Sequence, residues 1–295
     1  MEKEKKNWYD KSYKWLMLIP GIILLLSAVY LINFNAKNGD IIYKDVSITG
    51  GTSITIFDEN TDISDLENSL GGKFSDLRVR KLSEFRTGKQ KGFFVESIAN
   101  VEELKGALEE YLGYQLTQEN SSSEFSGASL SEGFYQQLRY AILLSFIFMA
   151  IVVFIIFRTF IPSLAVILSA FADIIMTVAF VDFLNISLSI AGVIAFLMLI
   201  GYSVDTDILL TSRLLKRREG KVNERIFESL KTGLTMTFTS MAAVAVSLFI
   251  IYNVSEVLRQ IFSILLIGLG FDILNTWVTN ASILKWHIEK KGGGL

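Results

Sequence analysis

Residues 200–213 read Ile200-Gly201-Tyr202-Ser203-Val204-Asp205-Thr206-Asp207-Ile208-Leu209-Leu210-Thr211-Ser212-Arg213. They continue an apolar run that begins near Leu188, and the whole is long enough to cross a bilayer, which takes about 20 residues of helix. Two acids, Asp205 and Asp207, stand in the second half of the run. Arg213 then opens a basic cluster of Lys216, Arg217, Arg218, Lys221, Arg225 and Lys231. An apolar run with embedded acids and a basic exit predicts a membrane-spanning helix with charge held at depth.

Five more runs have spanning length. With the fourth at 188–210, the expected spans are 15–32, 138–157, 161–184, 233–252 and 257–284. The predicted fold class is an α-helical polytopic membrane protein of six transmembrane helices. Overall, 51% hydrophobic and 20% charged residues would suit a soluble chain; their clustering decides otherwise. Pro162 falls in the first turn of the third helix, where a missing N–H costs nothing, and Pro20 predicts a kink in the first.

Orientation follows from Lys and Arg, which mark cytoplasmic segments. Lys3, Lys5, Lys6, Lys11 and Lys14 precede the first span, Arg158 lies between the second and third, and Lys285, Lys290 and Lys291 follow the sixth. The turns around Asn185 and Asn253 are nearly free of basic residues. Both termini (1–14 and 285–295) and the basic loop 211–232 are therefore expected in the cytoplasm, in a multi-pass protein of the cell membrane. The N-terminal run is too long for a secretory signal, and Asn33-Phe34-Asn35 lacks a small-residue cleavage site, so an uncleaved anchor is expected. The closing Gly292-Gly293-Gly294-Leu295 reads as a disordered tail.

Composition removes several chemistries. With no cysteine there is no disulfide framework, thiolate nucleophile or cysteine metal site. One histidine, His287, near the end of the last helix, reads as solvated or interfacial and makes a catalytic imidazole or a histidine metal site improbable. A net charge of −2 argues against nucleic acid. No enzyme activity, cofactor or metal is implied.

Residues 33–137 form one large loop, a domain by size, expected on the extracellular face. It carries 10 Lys and Arg against 17 Asp and Glu, net −7, while the remainder of the chain carries +5. Its pattern reads β-α-β-β-α-β, an α+β ferredoxin-like order. Val46 to Phe57 alternates as a strand. Thr61 or Asp62 caps a helix through Leu70, and Phe74 to Phe85 and Lys91 to Ile98 pair about a Thr87-Gly88 turn. Asn100 caps a helix from Val101 to Leu112, and Tyr114 to Phe125 supplies the last strand. Ser121 to Gly127 is expected as a flexible exit.

The informative residues are acids within spans: Asp173 in the third, Asp205 and Asp207 in the fourth, Asp272 in the sixth. Each costs about 3 kcal/mol at the bilayer centre, so each should face the bundle interior, be paired or carry a proton. Burial disfavours the charged carboxylate, and an ion or proton relay exploits that. Asp205 and Asp207, two residues apart, are turned about 200° from each other and cannot share a face. One of them can face this bundle and the other a partner subunit or a cavity. Ser203, Asp207 and Thr211 form a polar stripe, as do Asp272, Asn275, Thr276 and Thr279. Thr235, Thr239, Ala243 and Ser247 offer a small-residue packing seam. Arg213 reads as an interfacial anchor.

These residues carry a resemblance. The 200–213 stretch resembles the signature of the SecF family of protein-export membrane proteins. Gly50-Gly51-Thr52 is similar to the element that opens the family's external domain, Asp173-Ile174-Ile175 to its third-span acid, and Gly201 belongs to the fourth-span motif. Asp205-Thr206-Asp207 stands where bacterial members carry Asn-Asp-Thr and looks like the archaeal form; Ala172 replaces the bacterial histidine. The resemblance covers essentially the whole chain. It implies pairing with SecD in a twelve-span assembly of the resistance-nodulation-division type and association with a SecYE-type translocon. It further implies contact with the translocating polypeptide and with membrane lipid, and coupling to a proton gradient through Asp205, Asp207, Asp173 and Asp272, supported by Ser203, Thr211, Thr235, Thr239, Asn275 and Arg213.

Three rival readings remain. One is half of an ion-coupled small-solute transporter, and another an insertion scaffold without ion transport. The third is an intramembrane aspartyl protease, for which Gly268-Leu269-Gly270-Phe271-Asp272 has one residue too many before the acid.

Overall fold

In the computed structural model the described residues are 8–74, 76–83, 89–216, 221–252 and 255–291. The Thr87-Gly88 turn, the turn at Asn253 and the Gly292–Leu295 tail lie outside them. Among the described residues, six helical stretches are long and apolar enough to span: Trp8–Asn38, Gly133–Phe157, Phe160–Phe183, Ile190–Lys216, Val222–Ile251 and Val257–Lys290.

The first stretch is two helices, α1 (Trp8–Leu16) and α2 (Leu18–Asn38). They part at Met17, one turn before Pro20, whose ring nitrogen cannot bond the Leu16 carbonyl. At the domain end, Gly39 takes the left-handed conformation (φ 77°) and returns its N–H to Asn35.

The chain between the first two spans folds as α3 (Val46–Thr49), β1 (Gly51–Ile56), α4 (Ile63–Gly71), β2 (Arg78–Ser83), β3 (Gln90–Ser97), α5 (Val101–Leu112) and β4 (Ser121–Ser126). The sheet is antiparallel, in the order β2-β3-β1-β4. Asp62 caps α4 through the Ser64 N–H and Asn100 caps α5 through the Glu103 N–H. One sheet face, Ile54, Ile56, Phe93 and Val95, packs on Leu66, Leu70, Leu104 and Leu108 of those two helices. Three segments are shorter than expected. Residues 46–49 are a helical turn because Asp45 caps it, and Gly50 and Gly51, both at positive φ, end it. The second strand begins at Arg78, after a turn that closes on Leu77 N–H to Phe74 O. The last strand begins only at Ser121, since Asn120 Oδ1 holds a turn by accepting the Thr117 N–H.

Two expected segments change character. Helix α6 (Ala128–Phe157) starts ten residues before 138, so strand β4 passes into helix through Gly127 alone and no flexible exit exists there. Helix α8 (Ile190–Lys216) and helix α9 (Val222–Ile251) take up most of the expected basic loop 211–232. Helix α7 (Phe160–Phe183) and α8 are the most buried of the spans, and both pack on α10 (Glu256–Leu274). The last span continues from α10 through a π-helical segment, Asn275–Asn280, into α11 (Ala281–Lys290).

Candidate functional site

Three of the four predicted acids meet where α7, α8 and the α10–π junction cross. Asp173, Asp207 and Asp272 are all fully buried. Ser203 Oγ donates to Asp173 Oδ2 at 2.6 Å, and Asn275 Nδ2 to Asp173 Oδ1 at 2.7 Å. Asn280 Nδ2 donates to Asp207 Oδ1 at 2.7 Å. Thr206 Oγ1 lies 3.0 and 3.2 Å from the two oxygens of Asp272. Thr276 Oγ1 lies 2.9 Å from Asp207 Oδ1 and 3.0 Å from Asp272 Oδ1. A hydroxyl has one proton to give, so Thr276 serves Asp207 or Asp272 at any instant and links the two.

The π segment makes this geometry. Adding a residue per turn widens the helix and shifts which side chains face inward. Asn275, Thr276 and Asn280 all turn toward α7 and α8 as a result, and all three are fully buried. Asn280 and Thr206 escaped the sequence reading. Asn280 continues the four-residue spacing of Asp272 and Thr276 and was legible in that spacing. Thr206, flanked by two acids, carried no signal of its own.

Among the described residues no basic side chain pairs with these acids. Arg213 instead ties α8 to α9, with Nη1 donating to Thr232 Oγ1 at 3.0 Å and to Glu228 O at 3.2 Å. Thr211 is fully buried one turn beyond Asp207. Asp205 is the acid left out: it lies exposed on the opposite face of α8, as does Gly201. A Cβ added at Gly201 would meet nothing within 4 Å.

The predicted seam on α9 is displaced. Thr235 and Thr239 are exposed, and each hydroxyl bonds the carbonyl four residues earlier on its own helix. The buried row is Arg225, Ser229, Gly233 and Thr237. Gly233 decides this, because a Cβ there would stand 2.1 Å from the Trp277 ring.

Gly50-Gly51-Thr52 does structural work remote from the acids. Gly51 has φ 127°, and a Cβ on it would lie 2.4 Å from Ser97 O. Thr52 Oγ1 donates to Ala99 O at 2.7 Å. At the opposite end of the bundle, Lys285 and His287 are buried, where a residue of the cytoplasmic tail and a solvated or interfacial histidine were expected. Lys285 Nζ donates to Asp10 Oδ1 and Asn223 Oδ1, and the Tyr9 and Tyr13 rings flank it, so α1 is clamped to α9 and α11. A cleft of about 260 Å³ separates the open sheet face from the bundle, with Arg80, Glu96, Arg259 and Gln260 in its walls. Burial pushes the Glu96 carboxyl up from its ordinary range, against the pull of Arg80.

The family model described as "Protein export membrane protein SecD/SecF, C-terminal" matches residues 108–290. The protein-export membrane protein SecF of Methanocaldococcus jannaschii is 41% identical over 288 residues, covering 95% of this chain and 97% of that one. The SecF of Pyrococcus furiosus is 36% identical over 293 residues, covering 99% and 97%. Among solved structures, the crystal structure of the translocon-associated membrane protein SecDF from Thermus thermophilus superimposes with a TM-score of 0.76 at 19% identity. That match takes in 97% of this chain but 39% of the SecDF chain, and it is a likeness of fold. With the family model matching well over half of the chain and relatives above 30% identity along nearly all of it, the chain belongs to the SecF family of protein-export membrane proteins.

Proposed function

We propose that this chain assists the export of secreted polypeptides together with SecD and a SecYE-type translocon, driven by an ion gradient that acts through Asp173, Asp207 and Asp272. One observation carries the reading: three fully buried carboxylates on three spans are joined through hydroxyls and amides, with no basic partner among the described residues. Three ionised carboxylates cannot stay buried in that way without a neutralising charge. Gain or loss of a proton or cation would change which hydroxyl serves which acid, and with it the packing of α7, α8 and the π segment.

The β-α-β-β-α-β order and the β2-β3-β1-β4 sheet support reading the loop domain as ferredoxin-like. The distribution of Lys and Arg supports an extracellular position for it, with both termini in the cytoplasm. The exposure of Asp205 at span depth supports a partner: a carboxylate facing lipid is costly, and a SecD helix would cover it.

The test is export into vesicles that contain this chain, SecD and the translocon, with and without an imposed gradient. Asp173→Asn and Asp207→Asn should each abolish the gradient-dependent part. Export that keeps its full gradient dependence in both variants overturns the proposal. Solute flux that needs the same acids, with no effect on export, would favour the transporter reading.

A further inference from the structure

Four Asn-X-Ser triplets without proline stand in the chain: Asn120-Ser121-Ser122, Asn185-Ile186-Ser187, Asn253-Val254-Ser255 and Asn280-Ala281-Ser282. This spacing is the acceptor pattern for N-linked saccharide on surface loops of exported domains. Residues two apart on an extended backbone share a face, so one enzyme can read the amide and the hydroxyl together.

The structure separates the four. Asn280 is fully buried in the bundle with its amide on Asp207. Asn185 is exposed, but it stands two residues beyond the end of α7 and the hydroxyl residue of its triplet, Ser187, is buried. Asn253 lies outside the described residues, two positions after the end of α9. Chain so close to a span cannot be drawn away from the bilayer into an enzyme.

Asn120 differs in each respect. It belongs to the loop domain, 13 residues before the apolar stretch that begins at Gly133. Gln118, Glu119, Ser122 and Ser123 around it are exposed. Strand β4, which starts at the next residue, is an edge strand with β1 as its one neighbour in the sheet. The side chain also has a hydrogen to give. Asn120 Oδ1 accepts the Thr117 N–H at 2.7 Å, and Nδ2 donates to Gln115 O at 3.0 Å. An amide nitrogen carries two hydrogens, so a substituent can replace the second while both bonds that hold the turn persist.

We propose that Asn120 is the acceptor of an N-linked oligosaccharide on the outer face of the membrane. The inference goes beyond the export reading and rests only on the extracellular placement of the loop domain. The co-substrate is an oligosaccharide carried on a polyprenyl phosphate, used by a membrane-bound transferase. Asn120 Nδ2 attacks the anomeric carbon, the N–C bond forms, and the bond from that carbon to the phosphate oxygen breaks. The amide gives up one proton, the polyprenyl phosphate leaves with the bonding electron pair, and nothing is oxidised or reduced.

The experiment isolates the full-length chain from the membranes of the cells that naturally make it and reads its peptides by mass spectrometry. The expected result is a saccharide mass on the peptide that contains Asn120, and none on those containing Asn185, Asn253 or Asn280. Asn120→Gln and Ser122→Ala should each abolish the added mass, and Ser122→Thr should keep it. Ser122→Ala leaves both turn bonds of Asn120 in place, so it decides the matter if Asn120→Gln fails to fold. An unmodified Asn120 peptide overturns the inference, as does a saccharide mass that survives Ser122→Ala. The chain has no cysteine, so Gln118→Cys gives a single thiol for a membrane-impermeant maleimide applied to intact cells. Labelling of that thiol with Asn120 unmodified sinks this inference and leaves the placement of the domain standing. A thiol reached only after the cells are opened overturns both.

Discussion

Asn275 and Asp173, 102 positions apart in sequence, are joined at 2.7 Å by an amide N–H donated to a fully buried carboxylate. The bond pins the π segment to α7, and Asn275 Oδ1 also accepts from Thr279 Oγ1 at 3.4 Å. Asn275→Leu removes the donor, and the carboxylate keeps only Ser203 as a side-chain donor. Leaving a buried acceptor without its donor costs about 1–3 kcal/mol. Thermal unfolding in detergent should show a loss of that size, and Asn275→Gln should recover part of it. An unchanged Tm in Asn275→Leu would mean that the bond contributes nothing.

Gly233 and Trp277 make a second point of fit. A methyl at 233 would press into the indole at 2.1 Å. Gly233→Ala should destabilise the full chain by about 1–3 kcal/mol through overpacking. Trp277→Leu in the same chain should restore most of the loss, so a double-mutant cycle in Tm checks the contact. Purely additive effects would refute it.

Lys285, 1% exposed, holds α1 through Asp10. Lys285→Met leaves Asp10 and Asn223 without their cation. Breaking a buried pair by removing one partner costs about 3–5 kcal/mol, and the partial exposure of Asp10 puts this case at the low end. Hydrogen exchange should rise in residues 8–16 and stay unchanged in the sheet. Equal exchange in α1 of both proteins would show that the clamp does not hold it.

Gly51→Ala should disrupt the loop domain, since φ 127° disfavours any side chain and the Cβ would strike Ser97 O. Exchange of the β1 and β3 amides reads the effect, which is expected to exceed about 1 kcal/mol. The bundle amides should not change. Protection equal to that of the parent chain in β1 would count against the contact.

Glu96 makes the domain sensitive to pH. Burial raises its carboxyl above the unfolded value, so the folded state binds the proton more tightly. Its contribution is therefore fully present below the unfolded value of about 4.3 and is lost as pH rises through the higher folded value. Glu96→Gln should flatten this part of the stability–pH profile of the full chain. A profile that keeps its slope in the variant would assign the dependence to another group.

The spans were legible because membrane insertion demands long apolar runs whatever the neighbours are, and α7 stands within one residue of where hydropathy put it. Helix caps were legible for a similarly local reason: Asp62 and Asn100 bond N–H groups within three residues. The ends of α6, α8 and α9 were not, because polar residues such as Glu224 and Arg225 continue a helix once it docks on a bundle. Helix α9 starts at Val222 for that reason, and Arg225 is buried there with Nη1 on Leu214 O.

The acids show the division most clearly. Spacing alone required Asp205 and Asp207 to point apart, since two helical steps turn about 200°. Which of them entered the bundle depended on the π segment, which offered Thr276 and Asn280 to Asp207. Periodicity along one helix ranks its faces by polarity, whereas the partner of each face is set by how separate helices pack. The π segment adds a further step, since its extra residue breaks the period on which the reading of the last span relied. Gly233 was one of many small residues in the sequence, and it became a packing site only where the Trp277 ring came to rest.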